Sequence, residues 1–155
     1  MKPTYCVCTD VALVDQTSNR LSLINVVDAL HSPQFPIVFP QFTFVAAYLK
    51  ADGDPESANG EASFTLNGQE ILKGPVNLDF KGTTHTRIVT NISGFMIPGP
   101  GKLICKVEFP NTETAQWEMD VTQLAPPALR LGRPTMPRAR PMAGRTCRGC
   151  GATRR

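Results

Sequence analysis

The chain has 155 residues and a formal net charge of +3, but the charge is divided unevenly along it. Residues 1–122 carry 13 acidic and eight basic side chains, whereas residues 123–155 carry eight arginines and neither lysine nor acid. All eleven aromatic residues lie in the first segment, which has the length of one ordinary domain. We therefore predict one domain over residues 1–122 and a disordered Arg/Pro/Ala/Gly-rich tail over residues 123–155, because the tail has too little apolar surface to offset its ordering entropy.

Hydropathy and cysteine usage predict a cytoplasmic protein. No segment approaches the roughly 18 apolar residues that a membrane span requires, and the N-terminus lacks the apolar region of a signal peptide. The five cysteines are odd in number, and three of them lie in apolar, strand-like contexts. We therefore expect reduced thiols and no membrane association. Neither hydropathy nor cysteine usage indicates an oligomeric state.

In the first part of the chain, alternating or continuous apolar runs predict strands. Residues 5–8 and 21–27 form two of them. Residues 42–49 are apolar on both faces, which is typical of a central strand covered on two sides. Residues 32–40 contain three prolines, so we interpret this stretch as a crossover and not as an interior strand.

The second part shows the same alternation, interrupted by turn residues. Residues 62–66 are followed by Asn67-Gly68, a strong hairpin signal, and a return strand begins at Ile71. Four further strands, one turn at residues 98–101 and a polar turn at residues 111–114 complete the pattern; the strands lie near residues 76–80, 88–95, 103–109 and 117–121. Together, these strands and turns predict an all-β, antiparallel sandwich of about eight strands with a disordered C-terminal tail.

Four short motifs are similar to those of a known family. Residues 8–15 (CTDVALVD) and 19–26 (NRLSLINV) resemble the opening of an uncharacterised bacterial family of small proteins, a domain of unknown function. The similarity returns at residues 35–40 (FPIVFP) and at residues 97–101 (IPGPG), and it covers about residues 5–122. The resemblance implies an immunoglobulin-like sandwich and no established activity.

The cysteines are the candidate metal ligands. Cys6 and Cys8 are two residues apart on a strand, so their thiols would share one face, and Cys105 is also on a strand. Cys147 and Cys150 form a CxxC pair in the tail. A structural zinc site needs four ligands, which neither group supplies, so we predict no metal and no cofactor and interpret the first three as small core residues. A Cys-based metal or redox protein remains an alternative.

Other candidate chemistry is sparse. Asp52, Asp54 and Glu56 place three carboxylates in one loop, but calcium takes six to eight oxygen ligands, so we interpret the segment as an exposed acidic connection. The sequence has no nucleophile elbow, glycine-rich phosphate loop or dinucleotide fingerprint. We therefore predict that the protein is not an enzyme.

The tail is the one segment with an evident capacity to bind a polyanion. Its arginines could neutralise phosphates and give salt-dependent affinity for nucleic acid; the candidates are Arg130, Arg133, Arg138, Arg140, Arg145 and Arg148, with Arg154 and Arg155 at the end. Three other interpretations stay open: a solubilising extension, a segment that folds back on the acidic body, or the product of a shifted reading frame. Our main prediction is a binding module with a protein partner, and a nucleic-acid accessory protein is the alternative.

Overall fold

The computed structural model describes residues 1–125, which contain nine strands and no helix. The strands are β1 (Lys2–Val14), β2 (Leu21–Val26), β3 (Ala29–Ser32), β4 (Ile37–Leu49), β5 (Ser57–Leu66), β6 (Gln69–Asp79), β7 (His85–Ile97), β8 (Gly101–Glu108) and β9 (Ala115–Gln123). They form a four-stranded sheet, β2-β1-β4-β7, and a five-stranded sheet, β3-β9-β8-β5-β6. The predicted all-β architecture is confirmed. Within residues 1–125 no helix has the length and apolar character to cross a membrane.

Two details of the prediction change. The short strand β3 raises the strand number from about eight to nine, and it pairs in parallel with β9, so the second sheet is mixed and not wholly antiparallel. The expected strands near residues 71 and 76–80 are one continuous strand, β6. β6 tolerates Pro75 because it lies at the edge of its sheet, where one row of N–H groups needs no ladder partner.

The core lies between the inner faces of the two sheets. Every residue from Phe42 to Tyr48 in β4 is buried, which confirms the prediction of a central strand covered on both sides. Phe64 of β5 contacts the rings of Phe42, Phe44 and Phe95 from the other sheet, with ring centroids 5.5–6.4 Å apart. These edge-to-face contacts join the two sheets.

The Asn67-Gly68 turn has the backbone geometry that its sequence predicts. Asn67 has a φ of 50° and Gly68 a φ of 81°, so both central residues adopt the positive φ of a hairpin turn. The Asn67 side chain also accepts a hydrogen bond from the Lys102 N–H at 2.9 Å and donates to the Pro100 carbonyl at 3.1 Å. The turn is therefore tied to the start of β8 in the same sheet.

The predicted crossover over residues 32–40 is too long, because β4 already begins at Ile37 and includes Pro40. Phe39 pairs with Phe95 and Gln41 with Ser93, and Pro40 itself has no partner in the register. On its other side, β4 pairs with β1 only from Thr43 onward. Residue 40 therefore has no strand beside it on the β1 side. Proline is tolerated there because no ladder hydrogen bond requires the N–H that it lacks.

A candidate binding cleft beneath the β1–β2 hairpin

The outer faces of the two sheets differ in chemistry. The outer face of the second sheet carries exposed ion pairs: Lys73–Glu61 at 2.6 Å, Lys102–Glu118 at 2.7 Å and Lys106–Glu108 at 3.1 Å. The outer face of the first sheet instead has a row of three valines, Val7, Val45 and Val89, paired across β1, β4 and β7. Charged side chains are well solvated when exposed, whereas a row of apolar side chains is more stable when another part of the protein shields it from water.

The β1–β2 hairpin shields the apolar face. β1 pairs with β4 only as far as Thr9. Arg87 of β7 is paired with Ala47 of β4, and Ala47 is paired with Tyr5, so Arg87 lies in the same row as Tyr5, near the start of β1. The Arg87 Nη2 nevertheless donates to the carbonyl oxygen and to the side-chain Oδ1 of Asn19, at 2.7 and 2.6 Å. A straight β1 would carry Asn19 away from that row, so the hairpin folds back across the sheet.

The kink that allows this return lies at Thr9 and Asp10. The Thr9 hydroxyl donates to the Ile24 carbonyl. Asn25 has a φ of 56° and its amide donates to the Asp10 carboxylate at 2.9 Å. Positive φ in the middle of a hairpin interrupts the ladder, so the strands change direction there. The fold-back explains why Val45 is fully buried although it faces away from the main core.

A cleft of about 620 Å³ opens between the hairpin and the first sheet and extends to the β6–β7 connection. Its apolar wall includes Tyr5, Val14, Ala47 and Val89. Its polar wall includes Asn19, Asp79, Lys81, His85 and Arg87. This volume lies within the ordinary range of sites for small organic ligands.

Arg87 is the half-buried cation of this cleft. Within residues 1–125 no carboxylate pairs with its guanidinium, and its only acceptors are the two oxygens of Asn19. Arg87 and Asn19 are not among the site residues predicted from the sequence, because they are 68 positions apart and no local motif joins them. The available signal was weak: Arg87 is one of only two arginines in residues 1–122.

On the side opposite the cleft, the hairpin exposes apolar side chains. Leu13 is 54 % exposed, Ile24 43 % and Val26 45 %. Val11 pairs with Ile24 and Leu13 with Ser22, so Leu13 and Ile24 share one face, while Val14 on the other face lines the cleft. The hairpin is therefore apolar on both sides.

The three strand cysteines are brought together in the core. Cys8 and Cys105 are fully buried, and Cys6 packs against the same cluster. Burial raises the pKa of the Cys6 thiol to about 11, with a further contribution from Cys105. Burial also raises the pKa of Cys8, and its hydrogen bond with Cys105 adds to that shift. Metal binding requires the thiolate, whereas this environment favours the protonated form of Cys6 and Cys8.

Slow alkylation of these thiols is the expected consequence. At pH 8, a pKa of about 11 leaves roughly one Cys6 side chain in a thousand as thiolate, and Cys8 and Cys105 are in addition inaccessible. Iodoacetamide labelling, read residue by residue by mass spectrometry, should proceed at Cys8 and Cys105 only as the protein unfolds and rapidly in urea. Labelling of native Cys8 as fast as in urea would contradict the buried thiol cluster.

No group of three or more histidine, cysteine or acidic side chains within residues 1–125 has a geometry suited to a metal ion.

In the acidic loop, the Asp54 carboxylate contacts the Met1 ammonium at 2.6 Å and accepts from the Ala51 N–H at 2.7 Å. Glu56 pairs with Lys50 and with the Gly82 N–H. These hydrogen bonds lower the pKa of both carboxyl groups, that of Asp54 chiefly through the Met1 ammonium and that of Glu56 chiefly through Lys50.

The candidates in the tail lie outside the described residues. They are Cys147 and Cys150, and the six arginines Arg130, Arg133, Arg138, Arg140, Arg145 and Arg148. Regular structure extends just past the predicted domain boundary at residue 122. β9 continues to Gln123, and the Leu124 N–H donates to the Ser32 carbonyl at 2.8 Å. The nucleic-acid interpretation of the tail stays a prediction.

The architecture places the chain among all-β proteins with two packed sheets, here with one charged outer face and one face covered by a hairpin. A model of a family of unknown function, DUF6941, matches residues 4–122, and the chain belongs to that family. The predicted resemblance to a domain of unknown function is thus confirmed over nearly the same residues. No curated protein matches the chain.

Proposed function

We propose that the chain is a non-enzymatic, cytoplasmic binding module that contacts a partner protein through the exposed face of the β1–β2 hairpin. The observation that carries the proposal is the pair Leu13 and Ile24, which share that face and are exposed to 54 % and 43 %. An exposed apolar pair is a typical contact surface, because burial on a partner removes it from water.

The contrast with the rest of the body supports this choice of surface. The outer face of the second sheet is covered by lysine–glutamate pairs, which are solvated when unbound and contribute little to binding. The hairpin also carries Val26, exposed to 45 %, close to Ile24 along β2. The cytoplasmic location is supported by the neighbouring thiols Cys8 and Cys105, which are free.

Lysine at the two hairpin positions should weaken binding of the partner. In Leu13→Lys/Ile24→Lys the two charges would have to be desolvated at the interface, so recovery of the specific partner is expected to fall by about tenfold or more. The measurement is quantitative affinity capture from the native host, followed by titration of the purified partner. Because both side chains are exposed, the variant should retain the unfolding midpoint of the parent protein.

The matched control is Gln116→Lys, which adds a charge to an exposed strand position on the outer face of the second sheet. It should bind the partner as the parent protein does. Equal binding by the parent protein and the hairpin variant, or equal loss in the control, would contradict the assignment of the interface to the hairpin.

A further inference from the structure

We propose that the cleft beneath the hairpin is a binding site for small organic carboxylates, in which the Arg87 guanidinium holds the carboxylate. The site is independent of the proposed protein interface, because Leu13 and Ile24 lie on the opposite face of the hairpin and do not line the cleft.

The first argument is the unused hydrogen-bonding capacity of Arg87. Its Nη2 makes both hydrogen bonds to Asn19, whereas Nε and Nη1 have no acceptor within residues 1–125. A half-buried guanidinium without a counter-ion is costly, and a planar carboxylate satisfies adjacent N–H groups in pairs. The Asn19 contacts also hold the guanidinium in place, so a ligand would find it already oriented.

The second argument is the shape and composition of the cleft. Its volume of about 620 Å³ accommodates a molecule the size of an aromatic or short aliphatic acid. Tyr5, Ala47 and Val89 offer apolar surface next to Arg87, since Tyr5 and Ala47 belong to its row and Val89 to the next row along β7. One wall of the cleft therefore offers apolar surface for the body of the ligand and, beside it, Arg87 for the carboxylate.

The third argument is the local charge. Residues 1–122 are acidic as a whole, yet this cleft has Arg87 and Lys81 in its wall against a single carboxylate, that of Asp79. Asp79 already accepts a hydrogen bond from the Lys81 N–H at 3.0 Å. A carboxylate ligand, with one charge, suits this balance better than a phosphate, whose second charge would add to that of Asp79 in the same cleft.

The test is a titration of the full, ¹⁵N-labelled chain, followed by two-dimensional NMR, with phenylacetate as the probe. Phenylacetamide is the neutral control of the same shape, and inorganic phosphate tests an anion without an apolar body. Phenylacetate should shift the amides of Ala47, Arg87 and Val89 in a saturable way, with a dissociation constant on the order of 1 mM. Phenylacetamide and phosphate should bind at least about tenfold more weakly.

Two variants assign the effect to Arg87. Arg87→Gln should weaken phenylacetate binding by about tenfold or more, and Arg87→Lys should restore it only in part, because an ammonium cannot form the paired hydrogen bonds. Arg20→Gln, which removes the neighbouring arginine of the hairpin, should leave binding unchanged. Absence of saturable shifts with phenylacetate, equal binding of phenylacetamide, or unchanged binding in a folded Arg87→Gln protein would overturn the proposal.

Discussion

Replacement of Phe64 by alanine is expected to lower the free energy of unfolding by about 3–5 kcal/mol. Phe64 is only 1 % exposed, and its ring contacts Phe42, Phe44 and Phe95, all of which belong to the opposite sheet. The substitution removes the apolar surface that joins the sheets and leaves a cavity that neighbouring strands cannot close without breaking their ladders. The measurement is the midpoint and slope of unfolding in urea.

Met96→Ala is the control for Phe64→Ala. Met96 lies on β7 of the opposite sheet and is 53 % exposed, so the loss of its side chain should change stability by no more than about 0.5 kcal/mol. A comparable loss in both variants would show that the inner faces of the two sheets do not form the main core.

Replacement of Gly60 by alanine is expected to destabilise the fold by about 1–3 kcal/mol. A Cβ atom at this position would lie 2.5 Å from the Phe109 ring and would also meet the Glu108 carbonyl oxygen of β8. The Phe109 ring is itself buried and packs edge-on against Tyr48 at 5.3 Å, so it has no open space to move into. The strand carbonyl is held equally firmly by its ladder.

Gly74→Ala provides a control with the opposite sign. Gly74 lies on β6, the strand that pairs with β5, and no atom lies within 4 Å of a Cβ built there. Alanine at this site restricts mainly the unfolded chain, so stability should rise by about 0.4–1 kcal/mol. Chemical denaturation of the two variants in parallel measures the difference. A stabilised Gly60→Ala protein would contradict the close approach of β5 to Phe109.

The strands and turns could largely be predicted because their signals are local. Alternation with a period of two marks β5 and β8, and the continuous apolar run in β4 marks the strand that both neighbours cover. Asn67-Gly68 forms the predicted turn because both residues tolerate positive φ. The error at Pro40 has a physical cause: proline is excluded only where its N–H is needed, and pairing partners are not visible in a local pattern.

The candidate cleft could not be predicted, since it depends on contacts between residues far apart in the chain. The hydrogen bonds from Arg87 to Asn19 exist only because β1 and β2 turn back over the first sheet. The kink at Asp10 and Asn25 has no strong residue signal, as asparagine and aspartate are common in any turn. The same holds for the three thiols: spacing places Cys6 and Cys8 on one face, but the approach of Cys105 follows from how the sheets pack.

Apart from β3 and the first residues of β4, the sequence by itself determined which segments are strands. It also determined where the Asn67-Gly68 turn lies and that the apolar side chains of residues 1–122 build a core between sheets. These properties follow from side-chain alternation and from the backbone preferences of single residues. Only the tertiary structure decided that one sheet face is solvated and that the other lies under a hairpin whose Asn19 accepts hydrogen bonds from Arg87 of β7. Strand order, register and the direction of a kinked hairpin are set by long-range packing, which no local window of sequence contains.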